Sequence, residues 1–460
     1  MKVPRRIFRQ YDIRGIVGEE ITTDFAYALG KAYGTILRDH GGNTVSIGQD
    51  VRPSSPDLAD ALIDGLRTEG INVIRIGTVP TPLLYFSLFH LPVDGGIQVT
   101  ASHNPREYNG FKINLGRDVV WGEGIQRIRE IIEKEAFLKT FERGKLETQP
   151  VTGAYIDRIV RDVKIQKDIR VAVDAGNGTA GPVIQELYHE LGVKYKGLYL
   201  DPDGTFPNHL PDPTVEKYME DLKKLVVDGK FNLGVGFDGD SDRIGAIDEK
   251  GQIIFGDKLL GVFAKAVLKE FPGSTIIFDV KCSKGLVEYI KKLGGKPLMW
   301  KTGHSLLKAK LKETNAPLAG EMSGHIFFND RYFGYDDAIY ASVRLFEILS
   351  KTSKPLSALV AEIPSYISTP EIRVGCPDER KFDVVADLVQ YFKSKNLNVI
   401  DIDGARIEFD DGFGLVRASN TQPVLVLRFE AKTEERLQEI KDIIISKLRE
   451  YPEVDLSEIE

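Results

Sequence analysis

Three aspartates alternate along Asp238-Gly239-Asp240-Ser241-Asp242-Arg243, between two apolar stretches. Carboxylates this close repel one another unless a cation lies among them, and hard oxygen donors of this kind suit Mg²⁺. An EF-hand fails. Glu249 falls at its twelfth position, but Arg243 stands where its sixth requires glycine, and the flanks read as strands. A solvated acidic turn and an Asp-x-Asp phosphatase with an aspartyl nucleophile remain open beside the metal. A second group, Val99-Thr100-Ala101-Ser102-His103-Asn104-Pro105, closes an apolar strand. Its polar residues suit a simple turn. No Gly-x-Ser-x-Gly elbow surrounds Ser102, and Ser102 and His103 point apart in extended chain, which disfavours a serine hydrolase. A phosphoryl-accepting serine fits if a metal and basic groups lie nearby. In Gly320-Glu321-Met322-Ser323-Gly324-His325, a carboxylate and a hydroxyl two residues apart suit neighbouring sugar hydroxyls, although an ordinary loop has the same composition. Arg417-Ala418-Ser419-Asn420-Thr421-Gln422-Pro423 offers a guanidinium, two hydroxyls, an amide and turn N–H groups, the makings of an anion cradle or of a plain polar hairpin. Lys301-Thr302-Gly303-His304-Ser305 and Tyr11-Asp12-Ile13-Arg14-Gly15 complete the set.

The elements that carry these loops repeat. Residues 45–50 form an apolar run ending in an acid, followed by a helical stretch over 58–67, Gly70 and a second strand over 71–76. The same order returns at 169–174, 183–191, Gly192 and 193–200, and again at 275–279, 286–293, Gly294 and 296–300. Each unit reads as strand, loop, helix, glycine C-cap and strand, a βαβ pattern. The intervals are near domain size, which favours three similar α/β domains over one large sheet. Residues 143–153 and 365–379 are polar with Pro and Gly and read as linkers. Beyond the second the pattern changes to a helix over 382–393, strands near 399–402, 405–409, 414–418 and 424–431, and a helix over 434–450, a smaller α+β domain.

At 460 residues the chain has room for about two to four domains, and 23 Phe with 17 Tyr exclude disorder as its dominant state. A net charge of −7 gives no reason to expect nucleic acid or an anionic membrane, so any phosphate site must be local. No apolar run is long enough to span a bilayer, and the basic start Met1-Lys2-Val3-Pro4-Arg5-Arg6 lacks the apolar block of a signal peptide. Cys282 and Cys376 sit far apart without a pairing motif, as in reduced cytoplasmic proteins.

Taken in order from Tyr11 to Ala431, these loops resemble the α-D-phosphohexomutase superfamily. Within it, residues 301–305 and 320–328 are most similar to the bacterial phosphomannomutase/phosphoglucomutase group. The resemblance implies three related mixed α/β domains around a central cleft plus a C-terminal α+β domain like the TATA-binding protein. The expected limits are 1–150 with the phosphoserine loop, 151–253 with the metal loop, 254–367 with the sugar loop and 368–460 with the phosphate loop. It also implies interconversion of hexose 1-phosphate and hexose 6-phosphate, of mannose and/or glucose, through phosphoserine at Ser102 and a 1,6-bisphosphosugar. Asp238, Asp240 and Asp242 would hold Mg²⁺ with a phosphoryl oxygen on Ser102, and Arg14 and Arg243 would neutralise charge. Lys112 and either His304 or His325 are candidates for the hydroxyl proton, and Lys281 matches a family lysine. Glu321 and Ser323 would contact sugar hydroxyls at O3 and O4, which do not report on C2, where glucose and mannose differ. Arg417, Ser419, Asn420 and Thr421 would hold phosphate. Glucose 1,6-bisphosphate or mannose 1,6-bisphosphate is the implied intermediate and activator, and hexose phosphates are the implied partners of a monomer or homodimer. Residues 203–213 match a family loop of structural or cleft-lining character. Three alternatives stay open. Phosphoglucosamine mutases usually carry Gln where Met322 stands; an aspartyl phosphatase would use Asp238 as nucleophile; a non-catalytic sugar-phosphate binder has no use for a serine opposite the metal.

Overall fold

The computed structural model describes residues 1–138, 142–420 and 422–457. The chain forms two compact units, one of Met1–Leu259 with Ser323–Ala358 and the other of Leu260–Met322 with Leu359–Glu460.

Two sheets organise the first unit. One runs in the order Ile13–Ile16, Tyr108–Leu115, Gly95–Val99, Thr44–Gln49, Asn72–Thr78 and Leu146–Thr148, with Asp118–Val119 paired to Tyr108–Leu115. The other runs Ile253–Ile254, Ile244–Asp248, Leu233–Phe237, Arg170–Asp174 and Lys194–Leu198. In both, the first strand of the repeat is central, parallel to the second on one side and to the third on the other. The central strands are buried along most of their length and read as apolar runs for that reason. Helices Thr23–Asp39 and Ser55–Thr68 cover the first sheet with Phe25, Leu29, Tyr33, Leu58, Leu62 and Leu66. Helix Ala338–Ser350 contacts Leu233–Phe237 and Ile244–Asp248 of the second sheet. Its Asp337 cap accepts from Tyr340 N at 2.8 Å.

The second unit carries the third copy of the repeat. Thr275–Asp279 lies between Lys296–Trp300 and Leu318–Gly320, parallel to both. Its other sheet is antiparallel, in the order Ile367–Ser368, Val424–Ala431, Gly412–Ala418, Ala405–Phe409 and Asn398–Ile400, with Ile372–Gly375 also on Val424–Ala431. Helices Lys381–Ser394 and Glu434–Leu448 share its buried core.

The three repeats end their helices alike. Gly70, Gly192 and Gly294 take φ of +73°, +68° and +78°, the left-handed turn that lets the chain re-enter the sheet. Both expected linkers differ from the sequence reading, because Leu146–Thr148 is an edge strand on Asn72–Thr78, and Ile367–Ser368 and Ile372–Gly375 join the antiparallel sheet.

Candidate active site

The repeat topology places the chemistry. Each third strand runs directly into a motif loop: Gly95–Val99 into Ser102, Leu233–Phe237 into Asp238, and Leu318–Gly320 into Glu321. Each neighbouring first strand ends at a buried acid, Asp50, Asp174 or Asp279. Thus the loops leave the carboxyl ends of paired parallel strands, the position where open α/β sheets bind ligands.

Ser102 is buried, with φ +51°, and its Oγ donates to Asp238 Oδ2 at 2.6 Å. The same hydroxyl lies 2.9 Å from His103 Nδ1. Removal from water, then the Arg243, Arg14 and Lys112 cations, push His103 well below its ordinary value, so this ring is neutral. The serine and aspartate loops meet so closely that a Cβ on Gly239 would stand 2.4 Å from the Ser102 carbonyl oxygen. Asp238, Asp240 and Asp242 are fully buried, with carboxylate oxygens within 4.8 Å of one another. Lys112 Nζ reaches Asp240 at 2.6 Å and Asp242 at 2.5 Å. Burial opposes its charge, but Asp240, Asp242 and Asp238 more than compensate and raise the ammonium above its ordinary value. Burial and then the Asp242 and Asp240 charges raise Asp238 well above the carboxylate range. Burial also works against Asp242, yet Lys112 and His325 outweigh it and hold that carboxyl low.

The oxygens fit a hard cation. Asp240 Oδ1 and Asp242 Oδ1 are buried and accept no hydrogen bond, and every side-chain donor in the trio is a carboxylate oxygen. His325 lies beside them, with Nδ1 2.9 Å from Asp336 Oδ2 and 3.6 Å from Asp242 Oδ1, while Arg243 Nε donates to its Nε2 at 3.0 Å. Arg14 donates to Asn104 Oδ1 and Asp12 Oδ2, both at 2.5 Å. Ser102, Arg14, Lys112, the three aspartates, Arg243 and His325 are all in the first unit. So is the half-buried Ser323.

The second unit gathers the remainder. Glu321 Oε1 accepts from Gly303 N at 2.6 Å, beside the buried His304 that opens helix His304–Thr314. Asp279 accepts from Met322 N and Thr302 Oγ1, each at 3.1 Å. Asp403 Oδ2 takes Thr302 N at 2.9 Å and Arg417 Nε at 3.2 Å, tying the Lys301–Ser305 motif to the Arg417 strand. Lys281 meets Glu371 at 3.3 Å, and Arg428 Nη1 donates to the Lys281 carbonyl. Ser419 is buried, Asn420 is half-buried, and Thr421 lies outside the described residues.

Four family models cover this architecture in order. Phosphoglucomutase/phosphomannomutase alpha/beta/alpha domain I matches residues 5–139, domain II 153–251, domain III 255–366 and the C-terminal domain 371–447. The chain belongs to the phosphoglucomutase/phosphomannomutase family. A phosphomannomutase/phosphoglucomutase of Pseudomonas putida is 45% identical over 455 residues, 99% of this chain and 98% of the relative. A phosphoglucomutase of Neisseria meningitidis is 43% identical over 96% of both. The crystal structure of a phosphoglucomutase/phosphomannomutase family protein from Burkholderia thailandensis superposes with a TM-score of 0.91 at 43% identity, covering 97% of this chain and 98% of that one. Three domains of related α/β topology followed by a C-terminal α+β domain are therefore the architecture, as the repeat pattern and the resemblance lead one to expect.

Several residues of this family member's site escape the motifs: Asp50, Arg52, Asp279, Asp336 and Asp403. A signal exists for two of them, since Asp50, Asp174 and Asp279 each close the first strand of a repeat. Asp174 works as the other two do, accepting from Gly176 N at 2.8 Å and facing His209 Nε2 at 3.0 Å. For Asp336 and Asp403 no local pattern marks the position.

Proposed function

We propose that this protein interconverts hexose 1-phosphates and hexose 6-phosphates of glucose and mannose through phosphoserine at Ser102. The observation that carries it is the Ser102 hydroxyl, held in a left-handed turn 2.6 Å from the buried carboxylate cluster of a phosphoglucomutase/phosphomannomutase family chain. Phosphoserine gives its phosphoryl to the free hydroxyl of a bound hexose monophosphate; the P–Oγ bond breaks and a P–O bond to the sugar forms. The 1,6-bisphosphosugar turns over, and its other phosphoryl returns to Ser102. Asp238, Asp240 and Asp242 would hold Mg²⁺, which when bound withdraws charge from the phosphoryl oxygens. Arg14 and Arg243 add fixed positive charge, and Lys112 stays an ammonium that offsets the carboxylates. His325, with Nδ1 turned to Asp336, and His304 are the candidates for handling the sugar hydroxyl proton. Glu321 and Ser323 would hold sugar hydroxyls, and Lys281, Arg417, Ser419, Asn420 and Thr421 the phosphate remote from Ser102. Glucose 1,6-bisphosphate or mannose 1,6-bisphosphate would prime the enzyme. Cys282 and Cys376 are both buried and joined by no disulfide, which supports a cytoplasmic setting.

Intact-mass analysis after incubation with glucose 1,6-bisphosphate tests the proposal. An acid-stable phosphate mapped to Ser102, absent from Ser102→Ala, is expected. Turnover in Ser102→Ala should fall by at least about 1,000-fold with folding unchanged. An acid-labile acyl phosphate on Asp238 with release of inorganic phosphate would make the protein a hydrolase.

A further inference from the structure

The loop that carries Ser102 is wrapped around a residue that the chemistry above does not use. Arg52 is buried at 1% exposure, and all five of its guanidinium N–H groups have geometrically suitable acceptors. Nη2 donates to the carbonyl oxygens of Ser102 at 2.9 Å and Asn104 at 2.6 Å, and Nη1 to those of Pro105 at 2.7 Å and Tyr108 at 3.0 Å. Nε donates to Asp50 Oδ2 at 3.1 Å. Four main-chain carbonyls pointing at one spot would repel each other and lack water; a planar cation with forked donors satisfies all of them at once.

Asp50 secures the arrangement from the strand side. It accepts from Ser55 Oγ at 2.5 Å and from Thr100 Oγ1 at 2.8 Å, and Thr100 Oγ1 in turn accepts from Ser102 N at 2.9 Å. The Ser102 peptide is therefore gripped on both its N–H and its C=O, through Thr100 and Arg52. A left-handed, non-glycine residue persists only where its surroundings over-determine it in this way. Residues 203–213, which catalysis leaves unassigned, close the other face. The Phe206 ring covers the guanidinium at 5.1 Å, and Gly204 packs so near that a Cβ there would stand 2.2 Å from Val51 O.

We propose that Arg52 is a positioning residue for phosphoryl transfer: by drawing the carbonyls of Ser102, Asn104, Pro105 and Tyr108 onto one guanidinium it holds the left-handed turn that aims Ser102 Oγ at the carboxylate cluster, with Phe206 as its cover. This rests on Ser102 as the phosphoryl carrier. Lysine at this position keeps the charge but has three donors and no fork.

The test uses the full-length protein with glucose 1,6-bisphosphate and glucose 1-phosphate. Arg52→Lys should lower the rate of Ser102 phosphorylation, followed by intact mass, and kcat together by about 100-fold. KM should stay within about threefold of wild type, because all five Arg52 donors are taken up by the protein itself. A purely structural role would lower the melting temperature and leave both rates of the folded enzyme intact; rates within about threefold of wild type, or KM raised at constant kcat, overturn the proposal. Should the lysine variant not fold, Phe206→Leu uncovers the guanidinium without removing a hydrogen bond. A fall of about threefold to tenfold in the same two rates is expected, and unchanged rates overturn it. Wild-type protein that takes no phosphate at Ser102 would fail the mutase proposal itself, whereas wild type and Arg52→Lys phosphorylated equally fast would fail this one alone.

Discussion

At the scale of single residues, the carboxylate trio depends on its ammonium. Lys112 Nζ is buried with Asp240 and Asp242, so Lys112→Met leaves three buried carboxyls with one fewer compensating charge. Denaturant unfolding without metal should show a loss of about 3–5 kcal/mol, and Mg²⁺ should restore more stability to the variant than it adds to wild type. Equal stability of the two metal-free proteins would contradict the pairing. Much of this chemistry is visible in the sequence, because Ser102, Asp238, Asp240, Asp242 and Glu321 stand in contiguous motifs beside apolar strands. Arg52 and Asp336 are not visible. Arg52 meets its carbonyls at residues 102–108 only after two helices and two strands intervene, and Asp336 reaches His325 with no spacing rule of its own.

Among the elements, helix Ala338–Ser350 begins on an acid in an unusual state. Asp337 accepts from Tyr340 N and from the hydroxyls of Tyr155 and Tyr332, each near 3 Å, inside the protein. Burial is the largest influence and, despite those donors, pushes its carboxyl up to about 7. Such an acid keeps its proton in the folded state while the unfolded chain, with a pKa near 3.8, has already released it. Stability therefore falls as pH rises through the window from about 4 to about 7, by up to about 4 kcal/mol, and the penalty is complete above it. Asp337→Asn has no proton to lose, so its unfolding free energy should gain on wild type between pH 5 and pH 8. A difference that stays constant, or grows in favour of wild type, would show that the carboxyl is ionised throughout. Element by element, legibility followed the side-chain pattern. Thr275–Asp279, Lys296–Trp300, Ala405–Phe409 and Val424–Ala431 match the sequence reading residue for residue, since each presents an apolar or alternating run. Leu146–Thr148 and Ile367–Ser368 carry exposed side chains and pair through the backbone alone, which leaves no hydrophobic pattern to read.

For the molecule as a whole, specificity and retention of the intermediate are the measurable properties. On the proposed reading Glu321 and Ser323 hold hydroxyls common to both sugars, so glucose 1-phosphate and mannose 1-phosphate should give comparable kcat/KM. A preference beyond about 100-fold would demand a contact at C2, and one of that size for glucosamine 1-phosphate would indicate a glucosamine mutase. Arg417, buried and held by Asp403, is expected to keep the bisphosphosugar from leaving before it has turned. In the proposed cycle each loss would strand the enzyme with an unphosphorylated Ser102, so Arg417→Ala should need more added glucose 1,6-bisphosphate than wild type for full activity, as well as showing a higher KM. Unchanged activator dependence would confine Arg417 to binding the monophosphates. The discontinuity of the two units also sets an order of events on the ribosome. Met1–Leu259 emerges first, yet its unit is completed only by Ser323–Ala358, after the stretch Leu260–Met322 of the other unit has been made. The late segment brings His325 and Asp336 to the aspartate loop, and it carries Ile339, Val343, Leu345 and Phe346 into the core. Until then the nascent chain lacks the bonds Tyr188 makes to Ser342 and Tyr340 makes to Asp162, and the apolar surface awaiting that helix is open to any chaperone that waits at the exit tunnel.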